Sequence, residues 1–194
     1  MDCFPPVSGL VPAWNAAESI GRCVAAIRAQ SAPVAEVMVA DDGSTDGTAA
    51  LAAAAGARVL PLGGRRGICA GRNLLAREAS HGLLWYVDAD SIPEPDCLER
   101  LHQARASHPD AGLVHGTNVL PPERASAANT AYAVLGRHHF LKTTKSRYTS
   151  HVTTANFLVA REAIAAAGWF QHFRDGDSLL DLYEDLGLSR RVRP

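Results

Sequence analysis

Two short apolar runs in this chain each end in a cluster of aspartates, and that pairing narrows the possible folds more than any other feature. Residues 36–40 lead into Asp41-Asp42-Gly43-Ser44-Thr45-Asp46-Gly47-Thr48, and residues 83–87 lead into Asp88-Ala89-Asp90. Apolar runs of five residues bounded by turn formers read as buried strands. Carboxylates therefore gather at the carboxyl ends of two strands, which should be neighbours in the sheet. In an open α/β sheet that edge is where ligands bind. Carboxylates held there suit a divalent metal and nucleotide hydroxyls better than bare phosphate.

The rest of the first half keeps the same rhythm. Residues 7–11 form a strand ended by Pro12. Ile20, Cys23, Val24 and Ile27 fall at i, i+3, i+4 and i+7, one face of a helix. Asp46 or Thr45 can cap a helix through Ala55. A third strand covers 58–62, a glycine-rich loop 63–67, and a helix 70–80, stopped near Gly82. Pro93 and Pro95 open a helix with Leu98 and Leu101 on its buried side. This alternation predicts an α/β fold, a mostly parallel open sheet covered by helices on both faces. In the second half we expect a strand at 112–119, a helix at 125–140, a polar basic loop at 138–150 and a strand at 156–160. A helix at 161–167 follows, ended by Gly168-Trp169-Phe170, and a final helix at 179–192 carries Glu184-Asp185.

The length of 194 residues fits one domain. A formal net charge of −1 gives no support for a nucleic-acid partner. The four cysteines, Cys3, Cys23, Cys69 and Cys97, form no C-x-x-C pair, so neither a zinc site nor a disulfide framework is expected. Free thiols, no signal-peptide pattern and no run of ~18 apolar residues point to a cytoplasmic protein without a transmembrane segment. A lipid-linked substrate would bring it to the inner face of the membrane. The glycine-rich stretch 63–71 fits neither the P-loop nor the G-x-G-x-x-G pattern.

Taken singly, these motifs have ordinary explanations. Aspartates at strand ends form turns and helix caps, Glu184-Asp185 fits a solvated helix face, and Trp14 and Trp169 fit a core. Their order is more specific. Val11-Pro12-Ala13-Trp14-Asn15, the segment from Val39 to Thr48, Gly71-Arg72-Asn73, Asp88-Ala89-Asp90, Thr154-Ala155-Asn156-Phe157 with Gly168-Trp169-Phe170, and Glu184-Asp185-Leu186-Gly187-Leu188-Ser189-Arg190 follow one another along residues 7–191. In that order the chain resembles the family 2 glycosyltransferases, inverting enzymes with a GT-A fold. Trp14 stands where the family's V-P-x-Y-N start has Tyr.

The resemblance implies a single catalytic domain over 1–194. A Rossmann-like nucleotide-sugar-binding half would span about 1–119 and an acceptor-side half about 120–194. Members commonly continue some tens of residues beyond the E-D segment, so the second half is expected to be cut short. The Q-x-x-R-W motif of processive synthases is absent. The implied reaction moves a sugar from a nucleotide diphosphate donor, first of all a UDP-sugar, to a sugar, lipid-linked or small-molecule acceptor. Asp90 with Asp88 would hold Mn²⁺ or Mg²⁺. Pro12, Ala13, Trp14 and Asn15 would line the nucleoside, Asp42 would meet the base and Asp88 the ribose. Arg72, with Arg65 and Arg66 as rivals, would offset diphosphate charge. Asp185 would be the general base, and Glu184 and Trp169 would face the acceptor. The competing readings are a nucleotidyltransferase of similar fold and a non-catalytic nucleotide-binding partner subunit.

Overall fold

The computed structural model describes residues 4–116 and 155–171. In chain order these give β1 (Val7–Ala13), α1 (Ile20–Arg28), β2 (Glu36–Asp41), α2 (Thr48–Ala54), β3 (Arg58–Pro61), α3 (Ile68–Glu78), β4 (Leu83–Val87), α4 (Cys97–Ser107), β5 (Leu113–His115), β6 (Asn156–Ala160) and α5 (Arg161–Ala166). The expected helices 125–140 and 179–192 and the loop 138–150 lie outside the described residues.

The sheet order is β3-β2-β1-β4-β6-β5. The first four strands are mutually parallel, and β6 runs antiparallel to both β4 and β5. One expectation is corrected here: β2 and β4 are not neighbours, because β1 lies between them. The chain steps outward from β1 to β2 and β3. The crossover through α3 then returns it to the other side of β1.

Period-two alternation sorts the side chains into two layers. Val11, Val37, Val39, Leu83, Trp85 and Val87 point into one core with Ile20, Cys23, Val24 and Ile27 of α1, Ala52 of α2 and Leu98 and Leu101 of α4. Leu10, Met38, Ala40, Leu84 and Tyr86 point the other way, to Leu75 and Ala76 of α3 and Ile164 of α5. Helices therefore cover both faces.

Two local expectations shift. β1 continues through Pro12 to Ala13. The carbonyls of Val7 and Ala13 both accept from the β2 side, from the N–H groups of Ala35 and Asp42. By alternation, Pro12 turns its missing donor toward β4, whose pairing with β1 stops at Leu10. No ladder bond is lost, which is the condition for proline in a strand. At α2 the flanking residue is Gly47, at φ +88°, rather than Thr45 or Asp46. Asp46 instead accepts from the Thr48 N–H and hydroxyl.

Candidate functional site

Strand order reverses between β1 and β4, so the loops leaving their carboxyl ends diverge and open a crevice. A cavity of about 480 Å³ lies there. Pro12, Trp14 and Asn15 line it from the end of β1, Ile68 from the start of α3, and Asp88, Ala89 and Asp90 from the end of β4.

The loop after β1 is sewn to the loop after β2. Asn15 N–H donates to Ser44 Oγ (2.9 Å), and Thr45 N–H donates back to Asn15 Oδ1 (2.9 Å). Ala16 N–H donates to Thr48 Oγ1 (2.8 Å) and Ala17 N–H to Asp46 Oδ2 (3.0 Å). Asn15 is left-handed at φ +46°, a conformation asparagine tolerates better than most residues. Asp41 Oδ1 accepts from Ser44 N–H, three residues on, at 3.2 Å, a local side-chain-to-backbone bond that fixes the turn after β2. Much of the eight-residue aspartate-rich signature is thus framework.

Asp42 is also engaged. It is buried, and its two carboxylate oxygens accept from Arg66 N–H and from Gly67 N–H (2.9 Å). A Cβ on Gly43, already at φ +76°, would lie 3.1 Å from the Gly64 carbonyl carbon and 3.2 Å from Arg65 N. The Asp42-Gly43 pair thereby seats the loop 63–67. That loop places the Arg65 guanidinium 3.4 Å from the centroid of the exposed Trp14 ring.

The two aspartates after β4 differ sharply. The Asp88 carboxylate, 31% exposed, pairs at 3.2 Å with Arg72 Nη2, which belongs to a side chain only 1% exposed. Asp88 is also fixed by its backbone, donating from N–H to the Ala155 carbonyl and accepting at its own carbonyl from Ser91 N–H. Asp90 is exposed and makes no hydrogen bond or ion pair among the described residues. Cys23 Sγ lies 3.5 Å from the Asp88 carbonyl. Burial first, then the charges of Asp88 and Asp90, push its thiol up to about 12, so it stays a protonated core group.

Arg72 does not line the cavity; it lies beneath Asp88, its carbonyl accepting from Tyr86 Oη at 2.9 Å. The sequence carried a signal for this. Cys69, Arg72 and Ala76 share the buried face of α3 at i, i+3 and i+7, so the guanidinium sits on an apolar stripe and needs a partner there. The neighbouring Asn73 exchanges two hydrogen bonds with the Phe170 backbone, at 2.9 and 3.0 Å. It ties α3 to the Gly168-Trp169-Phe170 segment. Trp169, at φ +67°, lies under the Arg77 guanidinium (4.8 Å) rather than at the cavity. Asn156 accepts from buried Trp85 Nε1–H at 2.8 Å and is a core brace. Glu184 and Asp185 lie outside the described residues.

Among the described residues no group of three or more His, Cys, Asp or Glu is arranged to hold a metal. A pair of hard oxygen ligands with one open carboxylate nevertheless fits Mg²⁺ or Mn²⁺. Such ions commonly take one or two protein carboxylates and fill their remaining positions with phosphate and water. Nor is any helix among the described residues long and apolar enough to cross a membrane.

Comparison with known proteins bears on this geometry. The chain is 35% identical over 104 residues to the glycosyltransferase AglE of Haloferax volcanii, a match covering 50% of this chain and 34% of that protein. It is also 35% identical over 104 residues to the succinoglycan biosynthesis protein ExoO of Rhizobium meliloti, covering 52% and 30%. The matches thus span about a third of each relative's length. Among solved structures, the mannosyltransferase PcManGT of Pyrobaculum calidifontis, in complex with GDP-Man and Mn²⁺, superposes with a TM-score of 0.74 at 23% identity. That match covers 98% of this chain and 52% of that one. The glucosyl-3-phosphoglycerate synthase of Mycobacterium tuberculosis, in complex with UDP, gives 0.60 at 22% identity, covering 84% and 59%. These neighbours establish the GT-A architecture. The profile described as Glycosyl transferase family 2 matches residues 8–166, from β1 through α5, and the chain belongs to that family.

Proposed function

We propose that the chain transfers a sugar from a nucleotide diphosphate donor to an acceptor hydroxyl, with inversion at the anomeric carbon. The observation that carries this reading is the contrast within one motif. Asp88 is locked to a buried arginine, while Asp90 is open at a cavity that also exposes Trp14. Family membership supports it, as do the GDP-Man with Mn²⁺ and the UDP bound in the two structural relatives.

In this reading Asp90 and Asp88 hold Mn²⁺ or Mg²⁺, which as a Lewis acid would offset the charge that develops on the departing diphosphate. Arg72 acts through Asp88, fixing its carboxylate at the edge of the cavity. Pro12, Ala13, Trp14 and Asn15 flank the nucleoside of a UDP-sugar or a GDP-sugar. Asp42 acts on the donor site through the loop 63–67, whose backbone its two carboxylate oxygens hold. Inversion requires attack from the face opposite the diphosphate, so the acceptor's proton must be taken across the sugar. Asp185 is assigned that task from its sequence motif, with Glu184 and Trp169 on the acceptor side. The acceptor is a sugar, lipid-linked or small-molecule hydroxyl, met in the cytoplasm or at the inner membrane face.

The test is a donor panel incubated with Mn²⁺ and candidate acceptors, followed by chromatography. Release of nucleoside diphosphate together with a glycosylated acceptor is expected. Release of pyrophosphate would mean nucleotidyl transfer, and donor binding with neither product under any acceptor would mean a binding subunit.

A further inference from the structure

We propose that Arg65 is a positioning residue that holds the Trp14 indole as a platform for the donor's base. The proposal rests on the donor-site reading above. Two observations carry it. The Arg65 guanidinium stacks 3.4 Å from the Trp14 centroid, and Trp14 lines the cavity whereas Arg65 does not. The cation thus stacks on an indole that still contributes surface to the cavity and stays exposed. Independently, the backbone that carries Arg65 is clamped. Asp42 accepts from the N–H groups of Arg66 and Gly67, and Gly43 leaves room for the Gly64-Arg65 backbone, which a Cβ there would crowd. The line of force runs from Asp42-Gly43 through the loop to Arg65 and on to Trp14. An indole on an open loop pays rotamer entropy when a base stacks on it; a guanidinium already stacked on it removes part of that cost. An exposed cation–π contact of this kind is worth about 2–5-fold in an equilibrium constant.

The experiment compares wild type, Arg65→Ala, Arg65→Lys, Asp42→Asn and the double variant Asp42→Asn/Arg65→Ala. UDP, GDP and inorganic pyrophosphate are titrated calorimetrically in Mn²⁺, and acrylamide quenching of tryptophan fluorescence is read in parallel. Arg65→Ala should weaken the nucleotide that wild type binds by about 2–5-fold, leave pyrophosphate unchanged and increase quenching. Arg65→Lys, which keeps a cation, should recover part of both effects. The double variant should be no weaker than the worse single variant, because both act through one contact. An equal loss for pyrophosphate would make Arg65 a phosphate ligand and overturn the proposal. Unchanged nucleotide affinity in Arg65→Ala would overturn it too. Wild type that binds neither nucleotide would reject the donor-site reading itself, and the Arg65 proposal with it.

Discussion

The two edges of the parallel strands treat their polar groups in opposite ways. At the amino edge, Glu36 accepts from Ser8 Oγ and Ser80 N–H, both at 2.6 Å, and from Ser80 Oγ at 3.3 Å. Arg161 bridges the carbonyls of Ala79 and His81 between α3 and β4. Charges there are spent on closing the structure. At the carboxyl edge, Asp41, Asp42, Asp46 and Arg72 are spent in the same way, but they surround an exposed Asp90 and an exposed Trp14. A polar group left open beside braced neighbours keeps its geometry and its capacity to bind, which is what a site needs. The difference between the edges therefore lies in which charges remain unused, and less in how many there are.

The comparison can be sharpened by removing groups from each edge. The largest effect is expected at the acceptor side. Asp185→Asn should lower the transfer rate by about 10²–10⁴-fold with donor binding retained, as for a lost general base. Product formation followed over time checks it, and a near-normal rate rejects the assignment. Arg72→Met should cost about 2–4 kcal/mol in denaturant unfolding, because Asp88 loses its buried partner, and should also weaken Mn²⁺-dependent nucleotide binding. A stability loss with unaltered binding would break the link between Arg72 and the site. Arg161→Met removes two charge-assisted bonds at the other edge, for about 1.5–3 kcal/mol. Nucleotide affinity should not move, and a parallel drop in affinity would erase the contrast between edges.

The smallest effect belongs to Glu36. Burial on its own would raise its carboxyl, but hydrogen bonds from Ser8 and Ser80, helped by the charge of His81, bring it below the ordinary 4.5. A carboxyl held low stabilises the fold above its unfolded value and loses that contribution as pH falls through its folded value. Glu36→Gln should therefore cost roughly 1 kcal/mol near neutrality, and the gap to wild type should close below pH 4.5. A gap constant with pH would show that the carboxylate charge is not what matters there.

The sequence made much of this legible, for physical reasons that also mark where it stopped. β4 and β6 have the expected bounds: Gly82 and Asp88 interrupt the first apolar run, and the charged Arg161 ends the second, where the pairing of the two strands stops. The helix faces of α1 and α4 followed from spacing alone. The adjacency of β2 and β4 did not follow, since a crossover helix can return a chain to either side of the first strand. At the site, Trp14, Asp88 and Asp90, expected to meet the donor and its metal, line the cavity at the carboxyl edge. The positions of Arg72 and Asp42 were not foreseen. The spacing on α3 marked Arg72 as buried, but which partner consumes a charged group depends on tertiary contacts, Asp88 for Arg72 and the 63–67 loop for Asp42. The Arg65–Trp14 stack joins loops fifty residues apart, and no local pattern encodes it.

The central claim is that Asp90 is the open ligand of a braced pair. Calorimetric titration of UDP and GDP into wild type and Asp90→Ala, each with Mn²⁺ and with EDTA, tests it directly. Wild type should bind at least one nucleotide more tightly with Mn²⁺, and in Asp90→Ala that metal-dependent increment should vanish while the weaker metal-free binding remains. An increment of the same size in Asp90→Ala would contradict the account.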